Sequence, residues 1–353
     1  MTTAVLLQTM RCNLACAHCS VDSGPSRRGH MDLALALSLV ESLAKVADIQ
    51  YIDLSGGEPL LHPDDVCEIV RHVKACGKQS RLTTNGYWAS SPSRAEAMLR
   101  RLKSAGLDAV GLSLDKWHLD FLPAHNARFF VNACRVVGFP PLVSCVVRGR
   151  IRTPRYGGAP LDLHTLLDYY GLGHERATDL RAWGAHMETL SAEERASLME
   201  ETIRERLLVN WQYLTGEGRA ATALRHEIES ELTDASEEEP CPVAGLMPTI
   251  DQEGRLFPCC APWVNRHDRA YARINPETVQ AEIADMRDRP ALKVIRRYGP
   301  KRLVSVLRRQ GIEFPPENSG ICNLCGQMLD RLTLEELDCV AMEILRAEAL
   351  DRR

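Results

Sequence analysis

Three cysteines lie close together near the start of the chain, at Cys12, Cys16 and Cys19. Thiolates at this spacing can all bind one inorganic centre, and soft sulfur ligands suit zinc or an iron–sulfur cluster. A structural zinc ion or a cubane normally has four protein ligands, and no fourth cysteine is nearby. A [4Fe–4S] cluster on these three thiols would keep one iron open for a substrate or cosubstrate. For the triplet alone, a zinc knuckle remains the alternative.

A second set of cysteines lies in the last third of the chain. Two short apolar runs are joined there by a glycine-containing turn. Cys241 precedes the first run, and the pair Cys259 and Cys260 follows the second. This pattern predicts a β-hairpin with a cysteine at either base. Cys322 and Cys325 come much later as a C-x2-C pair. The set could bind a second metal centre, and a zinc ribbon is the alternative for this half alone.

The elements that would position these cysteines are strands and helices in alternation. Short apolar runs in the first 150 residues predict strands at 3–10, 49–54, 79–83, 109–114 and 142–147. Apolar residues at helical spacing predict helices at 30–46, 63–75, 93–104 and 124–136. Repeated βα units imply a parallel sheet, which right-handed crossovers curl toward a barrel. Functional residues are then expected on the loops after the carboxyl ends of the strands.

Glycine and polar residues follow several of these strands. After the second strand, the stretch 55–60 contains two glycines, which let the backbone approach a ligand closely, and Glu58, which offers an acceptor. The third strand ends in the stretch 83–86, and the fourth ends in 113–115, where alternate residues share one face. Arg148 follows the fifth strand, and its guanidinium group is suited to bidentate capture of a carboxylate.

Length, composition and charge limit the class of protein. The chain has 353 residues, of which 45% are hydrophobic, so it can bury a large core and should form about two domains. Its net charge of −4 argues against nucleic acid as a general partner. The sequence has no stretch long enough to span a membrane and no targeting leader, so we expect a soluble, cytoplasmic protein. Thirteen cysteines in such a chain indicate metal centres, because the cytosol keeps thiols reduced.

An acidic run separates the two halves of the chain. The run extends from Glu227 to Glu239, and its low apolar content predicts a solvated helix and linker. We therefore place a barrel domain at residues 1–225 and a second, smaller domain at residues 226–353.

Taken together, the motifs of the first half resemble the radical S-adenosylmethionine (SAM) superfamily. The resemblance rests on the C-x3-C-x2-C spacing with His18 before the last cysteine, on the Gly-Gly-Glu-Pro turn and on the polar strand ends that follow it. It implies an α/β fold with a partial (β/α)6 TIM-like barrel, whose sixth strand is closed by Gly218-Arg219-Ala220. It also implies a [4Fe–4S] cluster on the three N-terminal cysteines, which binds SAM and forms a 5′-deoxyadenosyl radical. The residues expected to contact SAM or the substrate are Gly56, Gly57, Glu58, Asn85, Ser113, Asp115 and Arg148.

The second cysteine set resembles the auxiliary-cluster domain called SPASM or, in its shorter form, twitch. Because only Cys339 follows Cys325, we expect the one-cluster twitch form, a small domain made of a β-hairpin plus a helix. Two [4Fe–4S] clusters would then receive electrons from an external donor such as flavodoxin or ferredoxin. The expected ligands of the auxiliary cluster are Cys241, Cys259, Cys322 and Cys325.

The reaction that follows hydrogen abstraction has several outcomes to consider. A thiol at Cys260 could return hydrogen to a substrate radical from the face opposite the adenosyl group, although this cysteine could instead be a spare ligand. We therefore predict an epimerase with Cys260, Asp115, His118 and Arg219 as its catalytic residues. Because the cluster motif begins at residue 12 and leaves no room for a leader-binding extension, we expect a small-molecule substrate. A sugar or aminocyclitol of antibiotic biosynthesis is the predicted class.

Three alternatives to this epimerase stay open. The first is dehydrogenation of an alcohol to a ketone, with the auxiliary cluster as electron acceptor. The second is a maturase that crosslinks or epimerises a ribosomal peptide. The third is a non-catalytic iron–sulfur or zinc protein that binds a partner.

Overall fold

The computed structural model describes residues 2–147, 161–228, 231–232, 238–260, 263–315 and 317–351. Its first part alternates strands and helices, as the hydrophobic periodicity predicts. The strands are β1 (Thr2–Thr9), β2 (Ile49–Gly56), β3 (Gln79–Thr84), β4 (Ala109–Ser113), β5 (Leu142–Val147), β6 (Ala177–Asp179) and β7 (Leu207–Tyr213). The helices are α1 (Leu33–Ala44), α2 (Pro63–Ala75), α3 (Pro92–Ala105), α4 (His125–Val137), α5 (Leu161–Tyr169), α6 (Leu180–Thr189) and α7 (Ala192–Glu205). The five strands and four helices predicted in the first 150 residues are confirmed to within a few residues.

Local sequence explains where these helices begin and end. The side chain of Asp32 accepts a hydrogen bond from the backbone N–H of Leu35 at 3.1 Å, so Asp32 is the N-cap of α1. Helix α3 begins at Pro92 after the N-cap Ser91, whose hydroxyl accepts a hydrogen bond from a backbone N–H of the first turn. The helix ends at Gly106, which adopts the left-handed conformation of a C-cap.

Six strands form a parallel sheet that curls around a cavity. Their order is β1, β2, β3, β4, β5 and β7, every neighbouring pair is parallel, and β6 adds a short parallel strand beyond β7. Leu7 of β1 and Gln212 of β7, which are on the first and last of these six strands, line the same cavity of about 390 Å³. The sheet must therefore curve. The predicted α/β class with a partial TIM-like barrel is confirmed.

The hairpin predicted after Cys241 is present and continues the barrel sheet. Strands β9 (Thr249–Ile250) and β10 (Arg255–Phe257) pair antiparallel, and β11 (Ala272–Arg273) pairs antiparallel with β10. Strand β9 also pairs in parallel with β1, with Thr249 opposite Val5. The hairpin is therefore joined to the barrel through backbone hydrogen bonds. The domain boundary at residue 225 stays a prediction.

The rest of the C-terminal part is larger than the predicted hairpin plus helix. Among the described residues it contains helices α9 (Val279–Asp288), α10 (Pro290–Tyr298), α11 (Pro300–Arg309), α12 (Ile321–Leu329) and α13 (Leu334–Asp351). A short helix, α8 (Ala220–Ala223), precedes them. The predicted helix over the acidic run is wrong at residues 231–232, because these form strand β8 (Glu231–Leu232), which pairs with β12 (Glu317–Asn318). Pairing with a distant strand outweighs the local polar composition at this point.

None of the helices in the described ranges combines the length and the apolar character that crossing a membrane requires.

Replacement of Phe257 tests how firmly the hairpin is attached to the barrel. Its side chain is fully buried in the hydrophobic core. We expect Phe257→Ala to lower the free energy of unfolding by about 3–5 kcal/mol, because it removes a buried aromatic ring and leaves a cavity. The control is Phe121→Ala, where 45% of the residue is exposed and the expected loss is below about 1 kcal/mol. Equal losses in denaturant titrations of the two variants would contradict the buried docking of the hairpin.

Candidate functional site

The cavity receives the loop that follows β1. Cys12, Cys16 and Cys19 all line it, so the structure brings the three predicted ligands to one place. The backbone N–H groups of Leu14 and Ser23 point at the sulfur atoms of Cys12 and Cys19, at 3.4 and 3.2 Å. Such N–H donors are typical partners of the cysteine sulfurs that bind iron–sulfur clusters. The donor set therefore fits a cluster with one open iron.

Burial raises the pKa of the Cys12 and Cys19 thiols, which favours their protonated form until a metal centre binds them. Desolvation raises the pKa of Cys12 to about 12, although a backbone hydrogen bond from Leu14 acts in the opposite direction. A metal or cluster binds the thiolate form. Assembly of the centre must therefore release protons.

The Gly-Gly turn after β2 touches the cysteine loop through its backbone. The N–H of Gly57 donates to the carbonyl of Thr9 at 2.6 Å, and the N–H of Glu58 donates to the carbonyl of Arg11 at 2.9 Å. A Cβ atom at Gly57 would lie 2.1 Å from the Arg11 carbonyl oxygen. Only glycine fits this approach, which explains the residue type by packing. Gly56 and Gly57 both line the cavity, and their contact with SAM stays a prediction.

Glu58 is fully buried and holds the end of β3. Its carboxylate accepts hydrogen bonds from the hydroxyl of Thr84 at 2.8 Å and from the backbone N–H of Asn85 at 2.7 Å. Burial raises the pKa of Glu58 to about 7, against these hydrogen bonds. The Asn85 side chain in turn donates to Asn13 in the cysteine loop at 2.9 Å. Glu58 thus positions Asn85 in the structure, and its predicted contact with SAM stays a prediction.

Asp115 lies between two histidines, just after the carboxyl end of β4. One carboxylate oxygen is 3.0 Å from Nε2 of His18, and the other is 3.0 Å from Nδ1 of His118. Burial acts to raise the pKa of Asp115, but the two histidines hold it well below its usual range. Burial likewise acts to lower the pKa of His118, whereas Asp115 and Cys16 raise it to about 10. Asp115, His118 and the predicted Ser113 all line the cavity.

The ring of His18 is fixed by this carboxylate and by stacking on Trp117, with ring centroids 4.9 Å apart. The motif spacing pointed to His18 only as the aromatic-type residue before Cys19. Its contact with Asp115 could not be predicted from the sequence, because the two residues are about one hundred positions apart.

Arg219 braces the cysteine loop from outside the cavity lining. Its guanidinium group donates to the carbonyls of Cys16, at 2.9 Å, and of Ser23. Its backbone N–H donates to the carbonyl of Cys19 at 3.0 Å. At Gly218, with a φ of +59°, a Cβ would lie 2.4 Å from the Cys19 carbonyl oxygen. These contacts make Arg219 a positioning residue for the loop, and the catalytic role expected for it stays a prediction.

Arg148, the predicted partner of the SAM carboxylate, lies outside the described residues.

One of the C-terminal cysteines, Cys260, reaches the same cavity. Phe257, Thr249 and Val5 are aligned across three strands, and β10 runs antiparallel to β1. The chain that follows Phe257 therefore continues toward the start of β1, whereas the cysteine loop follows the end of β1. Cys260 lies on this continuation and lines the cavity. Burial raises the pKa of Cys260 to about 11.

The four predicted auxiliary ligands lie around one another. Burial raises the pKa of Cys259 well above its usual value. The neighbouring thiols add to this shift, and they belong to Cys260, Cys322, Cys325 and Cys241. Helix α12 carries Cys322 and Cys325 on adjacent turns. The donor set fits a second cluster. Its presence remains a proposal.

Asp53 is a cavity residue that the sequence analysis did not identify. It lies on β2 two residues before Ser55, and both side chains line the cavity. Burial raises the pKa of Asp53 to about 6, while Arg81 on the neighbouring strand opposes the shift at 3.9 Å. The signal that could have found it is the alternation of β2, which places residues 53 and 55 on the same face.

Comparison with known proteins finds similarity to one enzyme superfamily in the first part of the chain. Residues 7–136 match the family model described as the Radical SAM superfamily. The chain is similar to "Putative peptide biosynthesis protein YydG" of Bacillus subtilis (strain 168), with 20% identity over 324 residues that cover 91% of this chain and 89% of that protein. A shorter match to "PqqA peptide cyclase" of Xanthomonas campestris pv. campestris has 36% identity over 154 residues, which cover 41% of this chain and 39% of the cyclase.

Two solved structures show more distant similarity. One is native anSMEcpe with bound AdoMet and Cp18Cys peptide, with 16% identity, coverage of 97% of this chain and 99% of that chain, and a TM-score of 0.46. The other is BtrN in complex with AdoMet and 2-DOIA, with 13% identity, coverage of 86% and 89%, and a TM-score of 0.40. Both TM-scores are below 0.5, so neither structure carries an argument about this chain.

Substitution of Gly57 tests whether the glycine turn holds the cysteine loop. We expect Gly57→Ala to lower the iron bound after anaerobic reconstitution at least several-fold, because the new methyl group would meet the Arg11 carbonyl and displace the loop. The control is Gly184→Ala, since a Cβ at that helical glycine meets no atom within 4 Å. Wild-type iron content in the Gly57 variant would contradict the packing role.

Proposed function

We propose that this chain, which belongs to the radical SAM superfamily through its residues 7–136, is an enzyme that epimerises a peptide substrate. In this proposal SAM and a [4Fe–4S] cluster on Cys12, Cys16 and Cys19, when bound, supply a radical that takes a hydrogen atom from the substrate. The chain's own residues then position the substrate and return a hydrogen atom to it.

The names of the relatives support a peptide as substrate. One relative that matches most of this chain is named as a putative peptide biosynthesis protein, and another is named as a peptide cyclase. Neither name supports the sugar or aminocyclitol expected from the sequence. That expectation rested on the position of the cluster motif in the chain, and leader binding can reside on a separate protein.

The lining of the cavity also suits a peptide. Hydroxyl and carboxamide groups from the strands and the loops after them face it, and each can donate and accept hydrogen bonds with the amide groups of a peptide backbone. Charged side chains are few by comparison. The neutral polar residues concerned are Ser55, Thr83, Ser113, Ser144, Asn210, Gln212 and Thr215.

The observation that carries the proposed reaction is the position of Cys260. It lines the cavity that the three N-terminal thiols also line, and the chain that carries it runs toward the start of β1, whereas the three thiols follow the end of β1. A substrate between them would lose hydrogen on one face and receive hydrogen on the other, which inverts the carbon centre. A pKa of about 11 keeps the Cys260 thiol protonated at neutral pH, as a hydrogen donor must be.

The donation step can be written in balanced form. The S–H bond of Cys260 breaks homolytically, and a new C–H bond forms on the substrate radical. A thiyl radical then remains on Cys260. One electron and one proton restore the thiol, and we propose that the electron comes from a one-electron donor of the flavodoxin or ferredoxin class.

Dehydrogenation is the second candidate, and Asp53 is the observation that favours it. With a pKa of about 6, its carboxylate is largely ionised at neutral pH and lies in the cavity, where it could accept a proton from a substrate radical. The remaining electron would pass to the auxiliary centre. The product would then be lighter than the substrate by two hydrogens.

The experiment that separates these reactions uses a pool of synthetic peptides in deuterated buffer. Because thiol protons exchange with solvent, wild-type enzyme should add a single deuterium to the peptide that it epimerises. Cys260→Ala should still cleave SAM in the presence of that peptide but should add no deuterium and form no epimer. The control is Cys339→Ala, which removes an exposed thiol from α13 and should behave as wild type. Unchanged epimer formation in the Cys260 variant would remove this residue as the donor.

Removal of two auxiliary ligands tests the second centre. We expect the double variant Cys322→Ala, Cys325→Ala to bind about four fewer irons per chain, because a cubane needs its thiolate ligands. The N-terminal cluster should still give an electron paramagnetic resonance signal that shifts on addition of SAM in this variant. The matched control is the double variant Cys76→Ala, Cys339→Ala, which should keep the full iron content. If the first variant also kept it, Cys322 and Cys325 would not be ligands.

A further inference from the structure

We propose that Glu217 and Arg266 are positioning residues, which hold the N-terminal cysteine loop in place by joining it to α12. This helix carries Cys322 and Cys325. The inference rests on the proposed function only in assigning the two cysteine sets to two metal centres. It concerns how the position of one centre depends on the other, and it does not depend on the substrate or on the reaction.

The first part of the connection joins the cysteine loop to the turn after β7. Arg219 donates hydrogen bonds to three carbonyls of the loop, and Gly218 lies so close to it that no side chain fits. Movement of this turn would therefore move the loop. Glu217 is the next residue back along the chain, so its position is linked to that of the turn.

The second part joins Glu217 to α12 through Arg266. Glu217 is 3% exposed, and its carboxylate is 3.2 Å from Nη1 of Arg266. Nε of the same guanidinium is 2.6 Å from Asp330, the C-cap residue of α12. A Cβ at Gly326, inside α12, would lie 2.4 Å from Glu217 and 2.7 Å from Arg266. The buried ion pair is thus packed directly on the helix backbone.

Further contacts also join the turn after β7 to α12, or the cysteine loop to the segment that carries Arg266. The backbone N–H of Gly216 donates to the hydroxyl of Ser319 at 2.9 Å, just before α12. The side chain of Asn323, between the two cysteines of α12, donates to the carbonyl of Gly216 at 3.3 Å. The side chain of Asn265 donates to the carbonyl of Ser20, next to the last cysteine of the loop. The residue pair 265–266 therefore contacts both the loop and α12.

Loss of the Arg266 side chain would leave Glu217 as a buried carboxylate without its closest cation. An uncompensated buried charge is strongly unfavourable, so Glu217 must either take up a proton or draw in water. In both cases the loss of its contact with Arg266 lets the turn at 216–219 shift. The shift would be transmitted to the cysteine loop through Arg219. Substitution of a residue that contacts neither the thiols nor SAM should therefore loosen the loop.

The test is hydrogen–deuterium exchange of the reconstituted enzyme, read on peptides that cover residues 10–24. Several backbone amides there are hydrogen-bonded within the loop, including those of Cys12, Cys19 and Asp22. We expect Arg266→Ala to speed their exchange at least roughly tenfold, in line with the loss of a hydrogen-bonded charged group. Exchange in α3 should not change. The matched control is Arg269→Ala. Nε of Arg269 is 3.5 Å from a carboxylate oxygen of Asp268, which is exposed, so its loss leaves no buried charge.

A second variant keeps the test decisive if Arg266→Ala unfolds. Glu217→Gln keeps the size of the side chain but removes its charge, and it should also speed exchange of the loop. Because both residues act through one pair, the effect of the double variant should be smaller than the product of the two single effects. Arg266→Lys should restore the exchange only in part, since one ammonium group cannot replace the two-sided contact of the guanidinium. Wild-type exchange of the loop in either folded single variant would overturn the proposal, whatever the enzyme does to peptides.

Discussion

The structure depends on one constraint, the close backbone contact that holds the N-terminal cysteine loop on both sides. On one side Gly57 lies against the carbonyl of Arg11, and on the other Gly218 lies against the carbonyl of Cys19. Both contacts are too short for any side chain. They are made by the chain after β2 and the chain after β7, so the loop takes its shape only when the barrel sheet has closed around it. A metal centre placed on this loop would inherit its position from the fold.

Buried charge organises the rest of the cavity. Glu58 and Asp115 both lie in the protein interior, and each is compensated by several named partners instead of by solvent. These partners belong to β3, to the cysteine loop and to the segment just after β4, so each carboxylate joins segments that are distant in sequence. Cys260 reaches this cavity from the C-terminal part of the chain. The cavity is therefore lined both by the three N-terminal thiols and by the thiol of Cys260.

The sequence predicted the barrel elements well, because buried strands and amphipathic helices have strong local periodicity. It also predicted which loops meet, since the carboxyl ends of parallel strands share one edge. It could not predict the pairing of Thr249 with Val5 or the strand at 231–232, because both depend on contacts between distant segments. The use of Arg219 as a brace was missed for the same reason. A guanidinium beside a glycine turn has no local signature of what it will contact.

In the proposed reaction, the cavity holds a peptide carbon next to the radical that forms at the N-terminal cysteines. The most direct measurement uses a peptide substrate that is deuterated at its α-carbons and follows the label into 5′-deoxyadenosine. We expect 5′-deoxyadenosine to gain deuterium from the peptide. In ordinary water, the epimerised α-carbon should then carry hydrogen from solvent. If SAM were cleaved in the presence of the peptide but the label stayed entirely in the peptide, the proposed reaction would be contradicted.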